Sequence, residues 1–156
     1  GRPNRAEKVF RPSPLKPAEQ YHQVTLWCLL TQPMLLSCNI PTMDEFDLSL
    51  VTNHEVLAIN QDALCKQGVR VRNQKGNFEI WAKDLADGSK AVGLFNISNK
   101  DQVLSVTAQE LGIKGTIRDL WRQKDIGTLS DAFSANVSSH GVVFIKVSAQ
   151  ETKIGR

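Results

Sequence analysis

The chain has 156 residues, 41% of them hydrophobic and 22% charged, with a formal net charge of +3. That is the balance of a globular protein with room for one domain, or for a small domain and a piece of another. No apolar stretch approaches the roughly 20 residues that a membrane helix needs. Aromatics make up only 6% of the residues. The basic residues near the ends (Arg2, Arg5, Lys8, Arg11 and Lys16, then Lys146, Lys153 and Arg156) are therefore read as solvated tails, not as a nucleic-acid surface.

Pro3, Pro12 and Pro14 predict an extended lead-in over residues 1 to 16. A helix is predicted from Pro17 to Gln32, with proline at its first position, Glu19 in its first turn, and Tyr21, Val24, Trp27, Cys28 and Leu30 as its apolar face. Pro33 marks its exit. The run from Met34 to Ile40 has apolar residues at consecutive positions, the pattern of a strand covered on both faces. Thr42 with Glu45 reads as a capping box for a short helix ending near Asn53, and a second helical piece is predicted over Glu55 to Asn60. Helix, buried strand and helix together are a fragment of an α/β architecture with a parallel sheet. One such strand forms no sheet alone, so residues 1 to 62 require partners that the sequence does not contain.

After Gln61 the pattern changes to short β-prone runs at 69–73, 78–84, 90–98, 102–107, 115–121 and 141–147. Lys75-Gly76-Asn77 and Asp87-Gly88 are hairpin signals, and Gly112, Gly115 and Gly141 punctuate the rest. An antiparallel sandwich follows, with one helical turn at Thr107 to Leu111 opened by a second capping box, Thr107 with Glu110.

The three cysteines, Cys28, Cys38 and Cys65, match no zinc spacing and imply no disulfide framework. Cys28 and Cys38 lie in apolar runs, where a thiol packs as a small hydrophobe. Residues 1 to 20 show no apolar signal segment, and the first residue is not methionine, so export is not decided by them. Two N-x-S sequons occur, at Asn96 and Asn136.

The blocks EQYHQVTLWCLL, PMLLSCNI, LVTNHEVLAINQD, KQGVRV, FEIWAKDLADGSKAVGLFN, IRDLW and HGVVFIKV, in that order, resemble the C-terminal part of an α-galactosidase-like glycoside hydrolase of family 27. The resemblance spans about Leu15 to Val147. It implies the end of a (β/α)8 barrel over residues 1–62, followed by a Greek-key antiparallel β-sandwich over 63–156. By analogy Pro17 to Gln32 would be the seventh barrel helix, Met34 to Ile40 the eighth strand and Thr42 to Asn60 the last helical layer.

The family's chemistry is retaining hydrolysis by two carboxyls roughly 5 Å apart, with no cofactor and no metal. Both aspartates lie on earlier barrel strands in the family, and no motif resembling either is present, so the 156 residues alone are expected to be inactive. Asp44, Glu45 and Asp47 form the densest acidic cluster, but the first two read as the N-terminal turn of a helix. Strand C-terminal ends face the active site in such barrels, which makes Cys38 and Asn39 candidate substrate-binding residues at the rim. Asn39 stands where the family commonly has aspartate, and Lys16 where it usually has a small hydroxyl cap. His22, His54 and His140 read as surface or capping residues. Trp27 reads as core, and Trp81 and Trp121 as packing between sandwich and barrel, with sugar stacking as the lesser alternative for both.

The implied function is the C-terminal segment of an enzyme acting on a galactoside or other carbohydrate, with a secreted or periplasmic location compatible with the resemblance. Related enzymes act on N-acetylgalactosamine or arabinopyranose termini, and nothing in these residues chooses among sugars or sets an oligomeric state. The competing possibility is a noncatalytic carbohydrate-binding or interaction module. An unpartnered apolar strand at Met34 to Ile40 would argue against it, since its edges and both faces would be open to solvent. A place for that segment inside a self-sufficient all-β body, or on the outside as a loop, would instead count against the glycosidase.

Overall fold

Pro17 occupies the one helical position where a missing N–H costs nothing, and helix α1 (Pro17–Leu29) starts there. The structure, a computed structural model, describes residues 13–36 and 40–149. Glu19 Oε2 accepts the Lys16 N–H at 2.7 Å, satisfying one of the free donors at the helix start. The helix ends earlier than the expected Gln32, because Thr31 adopts a left-handed φ of 54°. Its buried residues are Val24, Thr25, Cys28 and Leu29. Trp27, expected in the core, is 36% exposed. At about 100° per residue it lies on the flank of the stripe that the sheet covers.

The expected strand over Met34 to Ile40 is not met by the described residues. Met34, Leu35 and Leu36 form no ladder, Leu35 is 83% exposed, and Ile40–Thr42 is a 3-10 turn. Ser37, Cys38 and Asn39 lie outside the described residues. A strand exists only through hydrogen bonds to a neighbour. Every strand pair among the described residues is antiparallel and belongs to the later part of the chain, so no parallel neighbour is available to this segment.

Helix α2 (Glu45–Thr52) is capped by Asp44, whose carboxylate accepts the Asp47 N–H at 2.7 Å. The cap of α2 is thus Asp44, two residues after the Thr42 expected from the sequence, and aspartate caps at least as well as threonine. Asn53 ends α2 and opens α3 (His54–Asn60), accepting the N–H groups of Glu55 and Val56, each at 3.1 Å.

The β region contains β1 (Val69–Gln74), β2 (Phe78–Asp84), β3 (Lys90–Asn96), β4 (Gln102–Thr107), helical turn α4 (Ala108–Leu111), β5 (Gly115–Asp119), β6 (Lys124–Leu129), β7 (Ala132–Val137) and β8 (Val142–Ala149). Six strands form one sheet in the order β1-β2-β3-β8-β5-β6, and β4 pairs with β7 in a second. The expected turns are present: Gly76 and Gly88 take φ of 71° and 80° at the tips of the β1–β2 and β2–β3 hairpins. The Thr107–Glu110 box opens α4 with reciprocal bonds of 3.1 and 2.8 Å. Strands β6 and β7 were not expected from the sequence.

The six-stranded sheet is a middle layer. Ile80, Ala82, Val92, Leu94, Ile117, Ile145 and Val147 point into the core shared with Leu104, Val106 and Val137 of the smaller sheet. Their alternating neighbours, among them Ala91, Phe95 and Phe144, meet Val24, Cys28, Leu29, Val56 and Ile59 of α1 and α3 in a second core. Period two puts successive side chains on opposite faces, so a strand covered on both sides is buried throughout, and β3 is buried from Ala91 to Asn96. Each large side chain in the second core contributes about 1.5–3 kcal/mol by leaving water. The helical pieces are therefore joined to the sandwich by a core of their own.

Candidate functional site

The seam between the helices and the middle sheet holds the polar groups of greatest consequence. Lys83 sits on β2 with its side chain directed at the helices, and it is only 1% exposed. Its Nζ donates to Cys28 O at 3.3 Å, to Thr31 Oγ1 at 2.9 Å and to Ile59 O. Two of these acceptors are carbonyls in the last turns of α1 and α3, where the helix dipoles favour a cation. Burial pushes the Lys83 amine below the usual lysine range, opposed by the negative charge of Asp62. Lys83 thus fastens two helix ends to one strand.

A second fastening lies at Asn53. Besides capping α3, its Nδ2 donates to Leu120 O at 3.1 Å and Trp121 O at 3.3 Å, beyond the end of β5. Arg118 on β5 grips the Glu55 carboxylate through Nε at 2.8 Å and Nη2 at 2.6 Å, the bidentate geometry for which guanidinium is suited. Tyr21 stands edge-on to Trp121 at 4.7 Å and to Phe46 of α2 at 5.5 Å, while Trp121 donates its indole N–H to Thr25 Oγ1 at 3.0 Å. The indole N–H of Trp81 donates to Glu79 Oε2 at 2.7 Å, and the Arg70 guanidinium lies 5.9 Å from its ring centre. Both tryptophans pack against the helix-side core, and their polar handles are already occupied.

The histidines behave differently from their wide sequence spacing. His22 Nδ1 lies 3.2 Å from His140 O, and the His22 ring packs 4.7 Å from that of Phe95. Burial lowers the His22 titration below its usual value. His140, at φ 55°, holds Asn99 Oδ1 at 2.8 Å through Nε2. His54 is exposed at the first residue of α3. Sequence distance hid the His22–His140 contact, which arises only because α1 docks across the sheet beside the turn before β8.

Among the described residues no group of three or more histidine, cysteine, aspartate or glutamate side chains could hold a metal ion. The Cys28 thiol is pushed up to about 12 by burial, so it stays protonated and unreactive. Asp84 is lowered by hydrogen bonds from Lys66 and Lys90. Burial raises Asp87, but bonds from Lys146 and Ser89 outweigh it and leave it at about 2. Both shifts keep the carboxyl ionised, whereas a general acid near neutral pH needs a raised value. Asp44, Glu45 and Asp47 serve the start of α2, as the sequence suggests for the first two. Cys38 and Asn39, the candidate rim residues, lie outside the described residues.

A polar cleft of about 400 Å³ on the sandwich is lined by Asn77, Ser98, Asn99, Lys100, Asp101 and Gln102. Gln102 Nε2 faces Asn77 O, Asn77 Oδ1, Asn96 Oδ1 and Ser98 Oγ at 2.6–3.0 Å. Its donors are spent within the protein, and no aromatic ring lines the cleft for a sugar to stack on.

Residues 75–147 match the family model described as "Alpha galactosidase C-terminal beta sandwich domain". The chain is 35% identical over 127 residues to the alpha-galactosidase of Cyamopsis tetragonoloba, covering 78% of this chain and 31% of the relative. It is 32% identical over 120 residues to that of Coffea arabica, covering 74% and 32%. It spans about a third of the length of the curated relatives it matches. A family 27 β-L-arabinopyranosidase from Geobacillus stearothermophilus superposes with a TM-score of 0.84 at 28% identity, over 94% of this chain and 33% of that one. The alpha-galactosidase I of Mortierella vinacea shares the fold, with a TM-score of 0.82 at 23% identity over 87% and 36%. The antiparallel sandwich is shared, the resemblance extends beyond residue 75 into the helices, and so the chain is recognised as the counterpart of the C-terminal part of an α-galactosidase-like protein of glycoside hydrolase family 27.

Proposed function

We propose that this chain is the C-terminal segment of a retaining glycoside hydrolase that removes terminal α-galactosyl residues, with the catalytic aspartates upstream. The observation that carries it is the two-sided helical layer. One side of α1 and α3 is sealed to the sandwich by its own core, while Trp27, Leu35, Leu36, Ile40 and Leu48 remain 36% to 83% exposed. Exposed apolar surface of that extent, contributed by consecutive segments, is what a missing layer would cover. In this proposal residues 1–62 complete a (β/α)8 barrel, the segment Met34 to Ile40 becomes its last strand once an adjacent strand supplies a ladder, and Cys38 and Asn39 stand at the sugar-facing rim. The outward placement of Leu35 and Leu36 counts against this reading, and is outweighed by the match of residues 75–147 to the sandwich domain and by the 35% identity to the Cyamopsis tetragonoloba alpha-galactosidase.

The role of these 156 residues is mechanical. They close the barrel, and Lys83, Asn53 and Arg118 hold its last helices on a rigid sheet so that the active-site wall keeps its geometry. Chemistry would follow from a nucleophilic aspartate and an acid/base aspartate roughly 5 Å apart in the upstream barrel, without a cofactor. The sugar remains open within the class, since the arabinopyranosidase carries a closely similar segment.

Hydrolysis of an aryl α-galactoside by the full natural chain, followed by NMR of the first-formed sugar, tests this. The α-anomer is expected; the β-anomer as the first product would refute the retaining mechanism, and no hydrolysis would refute the activity.

A further inference from the structure

The two sequons lie in opposite surroundings, although the sequence presents them as equals. Asn96, at the end of β3, is 0% exposed. Its Nδ2 donates to Lys100 O at 2.7 Å, Val137 O at 3.0 Å and Ser138 O at 3.0 Å. Its Oδ1 accepts from Ser98 N at 2.9 Å, Ser98 Oγ at 2.9 Å and Gln102 Nε2 at 2.6 Å. This side chain ties the turn after β3 to the end of β7. A sugar on Nδ2 would replace an amide hydrogen, and a fully buried site has no room for it. Chains modified there would not reach this fold.

Asn136 is exposed on β7, the strand of the smaller sheet whose next residue, Val137, turns into the core at 1% exposure. Alternation therefore sends Asn136 outward. Directly across the ladder from it is Val103, which is 70% exposed. Ser138, which supplies the hydroxyl of the sequon, is exposed just past the end of the strand.

We propose that Asn136 is an N-glycosylation site and that Asn96 is not, the Asn96-Ile97-Ser98 sequon being structural. In the transfer, Asn136 Nδ2 bonds to C1 of the reducing-end sugar of a lipid-linked oligosaccharyl pyrophosphate. The C1–O bond to the pyrophosphate breaks, the lipid pyrophosphate leaves with the electron pair, and the amide gives up one proton. The attached glycan stands over the outer face of the β4–β7 ribbon and shields Val103, leaving the helical layer on the far side of the molecule free.

The test is secretion of the full natural chain from yeast behind a signal sequence, with peptide mass mapping of the folded product before and after amidase removal of N-glycans. Asn136 is expected to carry a glycan and to read as aspartate after the amidase, whereas Asn96 reads as unmodified asparagine. Asn136→Gln and Ser138→Ala are each expected to abolish the modification of that peptide without loss of secreted yield. Two results would overturn the proposal: a glycan on Asn96 in folded protein, or an unmodified Asn136 in well-secreted protein.

Discussion

Replacing Lys83 by methionine keeps the length and packing of the stem but removes the ammonium that joins α1, α3 and β2. Cys28 O retains a bond from Thr31 N–H at 3.3 Å, so the acceptor left most exposed to the loss is Ile59 O. A buried hydrogen bond from a charged group contributes about 1.5–3 kcal/mol, and an orphaned carbonyl costs a similar amount. Relief of the buried charge offsets part of this, since apolar replacement of buried ions is often neutral or better. The net expected loss is about 1–3 kcal/mol. Urea denaturation of the full natural chain should show a lower midpoint with an unchanged slope. Amide exchange should quicken at the C-terminal ends of α1 and α3 while β4 and β7 stay protected. A Lys83→Met protein as stable as the parent, or one whose exchange quickens uniformly, would refute the clamp.

Asn53→Ala removes the α3 cap and the two donations past β5, with an expected loss of about 1–3 kcal/mol by the same denaturation measurement. Gly115→Ala should be among the worst single changes, about 3–5 kcal/mol, because its Cβ would lie 1.8 Å from Ser148 O at a φ of 157°; normal thermal denaturation would contradict the β5–β8 register. The titration of His22 is lowered from 6.5 by burial, so its stabilisation is fully present above pH 6.5 and is lost as pH falls through the folded value. His22→Phe should make the denaturation midpoint less sensitive to acid over that window, and an unchanged pH profile would show that the ring does not titrate on unfolding.

Most of the β architecture was legible because its hairpins carry turn residues with a mechanism and its strands pack apolar side chains at period two. β6 was not, since Lys124–Leu129 is exposed at five of its six positions and interrupted by Gly127. β7 escaped for a related reason: in Ala132–Val137 only Val137 is fully buried. β2 and β3 read only as β-prone runs in the sequence, although their apolar residues at consecutive positions fit the two covered faces that the structure gives them. Lys83 was invisible as a key residue because a lysine in a strand ordinarily marks a solvent face. Trp27, Leu35 and Leu36 misled for a shared reason: their apolar character asks for burial that the described residues do not supply, whereas Met34 packs against the helix-side core. Functional residues were legible only as an absence of catalytic motifs, with the rim candidates Cys38 and Asn39 resting on resemblance.

The most direct measurement compares turnover of an aryl α-galactoside by the full natural chain with turnover by these 156 residues prepared separately. Hydrolysis by the full chain and none by the 156 residues is the expected pair of results. Dose-dependent hydrolysis by the 156 residues alone would contradict the assignment of catalysis to residues outside them.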